Sequence, residues 1–203
     1  RGAKLATGSW SSGGDLNTAR RGIAIGGAGT RDAALCMSGD SPTKPEVESY
    51  DGSSWTEVGD VNTSRAYAGG AGLNTAALII SGSAPPATVN VESYDGSSWT
   101  EIADVNTART ETQGAGVQTA ALLVGGLTAP KGQAESWNGT SWTEVGDLNT
   151  ARGSGSSAGT ITAALSIGGY LAPPYSELGV VEQWNGTAWT EVGDINTVRA
   201  GAA

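Results

Sequence analysis

The chain has 203 residues, 20 of them acidic and 11 basic, with 32 glycines, seven tryptophans, one cysteine and neither phenylalanine nor histidine. Lack of histidine excludes a His-based triad, an imidazole metal ligand and an imidazole pH switch, and Cys36 alone makes neither an internal disulfide nor a thiolate metal cluster, so neither metal nor other cofactor is expected. The net charge of −9 gives no footprint for phosphate backbones, so no nucleic-acid partner is expected; no long apolar run marks a membrane span, and the start at Arg1 lacks a signal pattern, which reads as a targeting segment absent or already removed.

Taken in chain order, the predicted elements repeat. Lys4–Trp10 reads as the last two strands of a unit, and Trp10 stands five residues before Asp15. Asp15 opens the string Asp-x-Asn-Thr-x-Arg, which ends at Arg20 and recurs as Asp60–Arg65, Asp104–Arg109, Asp147–Arg152 and Asp194–Arg199, at steps of 45, 44, 43 and 47 residues. Such a period means a propeller blade or a helical solenoid. Interior glycines cost a helix roughly 1 kcal/mol each, and here the apolar runs are short and bounded by Gly, Asn, Asp and Pro, so the units are read as strands. Complete units cover about 20–60, 65–104, 109–147 and 152–194. In the second, strand A is Ala66–Gly72, strand B the apolar run Ala76–Ile80, strand C the alternating Val89–Tyr94 and strand D Trp99–Ile102. Asp-Gly and Asn-Gly pairs between C and D signal hairpins. Arg199–Ala203 matches only the start of a strand A. The expectation is one all-β domain over 1–203, a β-propeller of four-stranded antiparallel blades. Five blades are expected, the last shared by residues 1–19 and 199–203. The rival is a piece of a longer array.

An apolar strand ending in Ser-Gly or Gly-Gly, then Tyr50 or Tyr94, then a tryptophan five residues on, resembles the kelch repeat of β-propellers. The strings Gly139-Thr-Ser-Trp-Thr-Glu-Val145 and Asp147-Leu-Asn-Thr-Ala-Arg152 are similar to near-identical repeats of marine phage and bacterial metagenomic proteins. That resemblance implies a virion or cell-surface appendage. Asp51-Gly-Ser-Ser-Trp55 is similar to the Asp-box of sialidase propellers, but its spacing is off by one residue.

Alternating strand direction puts the D–A and B–C loops on one face. The arginines Arg20, Arg65, Arg109, Arg152 and Arg199 should then ring the central channel, paired with the motif aspartates or, alternatively, forming an anion site. Trp55, Trp99, Trp142 and Trp189 are expected as wedges between blades, with Trp137 and Trp184 beside them. Asn62, Asn138 and Asn185 match the glycosylation sequon and are read as turn chemistry. All seven prolines lie in the B–C loops, which differ from unit to unit. Variable loops on a rigid frame are natural recognition elements, so Lys44, Pro85, Pro86, Lys131, Leu171, Pro173, Pro174 and Tyr175 are the candidate ligand contacts. The expected function is a non-catalytic binding or adhesion module, extracellular or virion-associated, recognising a glycan or surface protein. The alternative is a purely structural subunit of a fibre or coat that contacts its neighbours, with oligomers possible. An enzyme fits less well, because catalysis is asymmetric and the acids here recur at equivalent positions.

Overall fold

The computed structural model describes residues 13–24, 28–40, 43–127, 132–171 and 175–201, and these form strands without a helix. The first unit contributes β1 (Ala28–Thr30), β2 (Ala33–Gly39), β3 (Lys44–Tyr50) and β4 (Trp55–Val58). The second contributes β5 (Gly69–Leu73), β6 (Ala76–Ile80), β7 (Val91–Tyr94) and β8 (Trp99–Ile102). The third contributes β9 (Gln113–Val117), β10 (Ala120–Val124), β11 (Ala134–Trp137) and β12 (Trp142–Val145). The fourth begins with β13 (Ser156–Thr160) and β14 (Ala163–Ile167), inserts a small ribbon of β15 (Tyr170–Leu171) and β16 (Ser176–Glu177), and ends with β17 (Val181–Trp184) and β18 (Trp189–Val192). Each unit is one four-stranded antiparallel sheet in chain order, the ribbon standing apart as a two-stranded sheet. The arrangement is propeller-like: first strands pack side by side, β1 against β5, β5 against β9 and β9 against β13.

Glycine makes that inner packing possible. A Cβ on Gly114 of β9 would lie 2.3 Å from the carbonyl oxygen of Gly70 in β5, a contact with backbone that cannot give way. Farther out, larger side chains take over. Leu35, Met37 and Val47 of the first sheet meet Ala77, Ile79, Tyr94 and Trp99 of the second. Leu78, Ile80 and Val91 meet Ala121, Leu123, Trp137 and Trp142 of the third. Leu122, Val124 and Ala134 in turn meet Ala164, Trp184 and Trp189 of the fourth. The tryptophans are thus inter-sheet wedges, as their register implied, except that Trp55 is only half-buried and Trp10 lies outside the described residues. Each wedge is a tilted aromatic pair, from Tyr94–Trp99 at 4.9 Å to Trp184–Trp189 at 5.3 Å between ring centroids.

Strands B and D fall where the pattern put them. Strand A of the second unit starts at Gly69, not Ala66, because Tyr67 turns the chain with φ 55°. Strand C starts at Val91, not Val89. The C–D connection is a four-residue loop, not a two-residue turn: Tyr50 pairs with Trp55, and the Asp51 N–H bonds the Ser54 carbonyl at 3.2 Å. The Asp51 carboxylate accepts the Ser53 and Ser54 N–H groups at 2.8 and 2.9 Å, and Asn138 and Asn185 do the same in their loops. Those N–H donors, with the Ser53 and Ser97 hydroxyls, pull Asp51 and the equivalent Asp95 down to about 2.

Candidate functional site

The repeated motif builds a buried clamp. The Arg65 guanidinium reaches past its own loop to Glu92 on β7, and both side chains are fully buried. One Glu92 oxygen accepts the Asn62 backbone N–H at 2.6 Å and its amide at 2.9 Å. The other accepts the Thr63 N–H at 3.1 Å and Arg65 Nη2. Arg65 Nη1 also donates to the Asn90 carbonyl at 2.6 Å. The same pairing joins Arg20 to Glu48, Arg109 to Glu135 at 2.8 Å, and Arg152 to Glu182. This corrects the expected Asp–Arg pairing. Asp15, Asp60, Asp104, Asp147 and Asp194 are exposed, and the carboxylate comes from strand C of the next sheet. The loop is an anion site after all, but for an internal anion. Burial pulls the Arg65 and Arg109 guanidinium groups down from their ordinary value, and Glu92 and Glu135 oppose it. For Glu48 and Glu182, burial pushes the carboxyl up. The loop N–H groups and the arginines outweigh it and hold both below the ordinary carboxylate range.

Two residues after each arginine the backbone enters the left-handed region: Gly22, Tyr67, Glu111, Ser154 and Gly201, at φ 60°, 55°, 59°, 50° and 65°. These five residues form a main-chain ladder. Tyr67 N–H donates to the Gly22 carbonyl at 2.7 Å, Glu111 to Tyr67 at 2.7 Å, Ser154 to Glu111 at 2.9 Å and Gly201 to Ser154 at 2.7 Å. Adjacent units are thereby tied together at the inner ends of their loops. Glycine suits such a conformation best, and another residue costs about 1–2 kcal/mol. The chain nonetheless places Tyr67, Glu111 and Ser154 there. At Gly22, a Cβ would lie 2.9 Å from the Tyr67 ring, so the ring needs that glycine as its seat.

Those three side chains line one cavity, of about 540 Å³, with Tyr170, Tyr175 and Glu177 of the ribbon and Ala200 and Gly201. Glu111 Oε2 accepts hydroxyl bonds from both Ser154 and Tyr170. Burial, then the bond to Glu111, pushes the Tyr170 phenol up to about 12. Tyr175 stands edge-on to Tyr170, 5.3 Å between centroids, and is 67% exposed. On the near side, the Tyr67 hydroxyl donates to Asp40 at 3.0 Å, and Asp40 also pairs with Arg21 at 2.9 Å. The result is a mouth of tyrosines, carboxylates and one serine, different from every other part of the repeated frame.

Of the expected ligand contacts, Tyr175 lines this cavity. Leu171 lies on β15 beside it, 38% exposed. Pro85 and Pro86 are exposed in the second unit's B–C loop but do not line the cavity. Lys44 is not a loop residue. It opens β3, pairs with Gly39, and its ammonium lies 3.9 Å from Glu46. Lys131, Pro173 and Pro174 lie outside the described residues. Loop composition alone did not reveal Tyr67, Glu111, Ser154 and Tyr170. The available signal was the position two after each arginine, which changes in a frame that otherwise repeats. No protein-family model and no curated protein matches the chain.

Proposed function

We propose that the protein is a non-catalytic binding module that recognises a glycan or a surface protein at the cavity lined by Tyr67, Glu111, Ser154, Tyr170 and Tyr175. One observation carries this reading: three non-glycine residues are held in left-handed backbone where glycine would be cheaper, and all three face the same cavity. At Ser38 and Ser81, which share that conformation, the hydroxyls bond the Arg65 and Arg109 carbonyls, so those two have a structural cause. At the mouth the side chains bond mainly one another. Aromatic rings beside hydrogen-bonding groups are the composition of recognition surfaces.

The architecture that goes with this reading is a kelch-like propeller of five blades, the fifth begun by residues 199–201. The ladder from Gly22 to Gly201 supports it, since five successive units enter one row. The repeat wording supports an extracellular or virion-associated setting. A glycan array and a pull-down from surface extracts, run with the parent chain and with Glu111→Gln and Tyr175→Ala, test the assignment. Binding by the parent that weakens tenfold or more in both variants is the expected result. No binding, or binding that ignores both variants, sinks it. A structural role as a fibre or coat subunit is the second reading, favoured by the outer face of the fourth sheet, where Ala158 is exposed and Leu165 and Ile167 are half-buried.

A further inference from the structure

Among the described residues, four of the five motif loops hold a glutamate, and the fifth does not. Asp194–Arg199 has the same sequence pattern as the others, and its backbone is placed in the same way. Ile195 N–H bonds the Gly179 carbonyl at 2.9 Å as Leu148 bonds Gly132, and Gly169 N–H bonds the Arg199 carbonyl as Gly126 bonds Arg152. Yet Arg199 is exposed. Its guanidinium meets only the Thr197 carbonyl among the described residues, at 3.3 Å, and Asn196 is exposed beside it. In the other loops the glutamate always stands seven residues before a tryptophan: Glu48 and Trp55, Glu92 and Trp99, Glu135 and Trp142, Glu182 and Trp189. Seven residues before Trp10 stands Ala3. The chain's own first segment therefore has no carboxylate to offer, even in the position the repeat assigns to it.

The surface next to this loop is open in the same sense. Ala71, Leu78 and Ile80 of the second sheet are fully buried under the third, and Val105 of the adjoining loop is 3% exposed. Their counterparts in the fourth unit are Ala158, which is exposed, and Leu165, Ile167 and Ile195, which are half-buried. Ala158, Leu165 and Gln183 line an apolar groove of about 490 Å³. Gly59 lies so close to the next hairpin that a Cβ would come within 2.6 Å of the Ser97 carbonyl. Around the equivalent Gly193, nothing described lies within 4 Å. Its carbonyl occupies the place where Gly59 and Ala103 accept an indole N–H from Trp99 and Trp142.

We infer that Asn196, Thr197 and Arg199, with the outer face of the fourth sheet, form a receptor for the glutamate of a further repeat strand supplied from outside these 203 residues. Its ligand is a carboxylate on an extended segment, followed seven residues later by a tryptophan whose indole donates to Gly193. The Asn196 and Thr197 N–H groups and the guanidinium bind the two carboxylate oxygens, as Asn62, Thr63 and Arg65 bind Glu92. The exposed apolar groove takes the aromatic pair. A second copy of this chain is a poor donor, because Glu48, Glu92, Glu135 and Glu182 are each committed to a buried clamp. The receptor follows from the repeat geometry and is independent of the mouth cavity.

The test uses the full chain and a fluorescein-labelled peptide with the sequence of residues 89–104, which carries Glu92, Tyr94 and Trp99. Saturable binding by fluorescence anisotropy is expected. It should weaken at least tenfold when the peptide carries Glu92→Gln or when the chain carries Arg199→Gln, and stay unchanged for Arg21→Gln at the exposed Asp40 pair. Arg199→Gln should also leave the melting midpoint of the chain within about 2 °C of the parent, unlike the buried Arg65→Gln. Three results overturn the proposal: no saturable binding, equal binding of the peptide carrying Glu92→Gln, or a fall in midpoint for Arg199→Gln as large as for Arg65→Gln. If Ala3→Glu raises the midpoint and blocks the peptide, the seat belongs to the chain's own first segment, and an outside donor is refuted.

Discussion

Replacing Glu92 by glutamine is the sharpest test of what holds adjacent sheets together. The substitution keeps the size of the side chain and removes its charge. Arg65 then stays fully buried without a counter-ion, and position 92 loses the two-oxygen acceptor that serves Asn62, Thr63 and Arg65. Removing one partner of such a pair costs about 3–5 kcal/mol. A domain of this kind has roughly 5–15 kcal/mol in total, and each kcal/mol moves the midpoint by about 2–4 °C at this size. The expected drop is therefore on the order of 6–20 °C, read by tryptophan fluorescence in thermal and urea unfolding. Exchanging the pair for hydrocarbon does not restore stability here, because the Asn62 and Thr63 N–H groups would be left without an acceptor, at about 1–3 kcal/mol each. Arg65→Met combined with Glu92→Gln recovers only the part due to the unpaired buried charge, since the single glutamine oxygen serves the Asn62 groups or the Thr63 N–H but not both. A loss below about 1 kcal/mol for Glu92→Gln, or an equal loss for the exposed Glu101→Gln, would refute the reasoning.

Gly114→Ala should destabilise by about 1–3 kcal/mol or more, since its Cβ meets the Gly70 carbonyl at 2.3 Å; a urea midpoint equal to the parent's would contradict the inner packing. Acid should loosen the clamps. Glu48 and Glu182 have folded-state carboxyls below the ordinary range, so their contribution is present above the unfolded value and is lost as pH falls through the folded one. A urea midpoint that rises on acidification from pH 5 to pH 3 would contradict this. By carboxyl NMR, Asp51 and Asp95 should titrate near about 2, and Ser53→Ala should move Asp51 upward. Tyr170 should stay protonated until about pH 12, so a phenolate absorbance step should move toward pH 10 in Glu111→Gln. A phenol raised in this way stabilises the fold below pH 10 and loses that contribution as pH rises toward 12.

The fold was legible because the same physical demand recurs in every unit. Apolar strand B and the loop glycines appear four times and the tryptophan register five times, so local ambiguity in one copy is resolved by the others. The clamp was half legible. The arginine stood out by its repetition, but its partner sits 26 to 30 residues away on another strand, and a nearer aspartate offered a simpler pairing. Only the packing shows why the near acid loses: Asp60 sits on the solvent side of the loop, while Glu92 points from β7 into the space behind it. The mouth was least legible. Tyr67, Glu111 and Ser154 are ordinary residues in ordinary strings, and the ladder that gathers them uses main-chain atoms alone, which composition cannot reveal.

That ladder has a consequence for how such a surface can change over time. Because Gly22, Tyr67, Glu111, Ser154 and Gly201 are joined through N–H and carbonyl groups only, the identity of each side chain is decoupled from the scaffold's integrity. Each repeat contributes one letter to a short word written around the mouth. A single codon change at position 67, 111 or 154 rewrites one letter and leaves the main-chain ladder in place, while Gly22, the seat of the Tyr67 ring, is held fixed. Asn and Asp, which tolerate left-handed backbone better than most residues, are the cheapest new letters. A family of such chains would then share one frame and differ in the word.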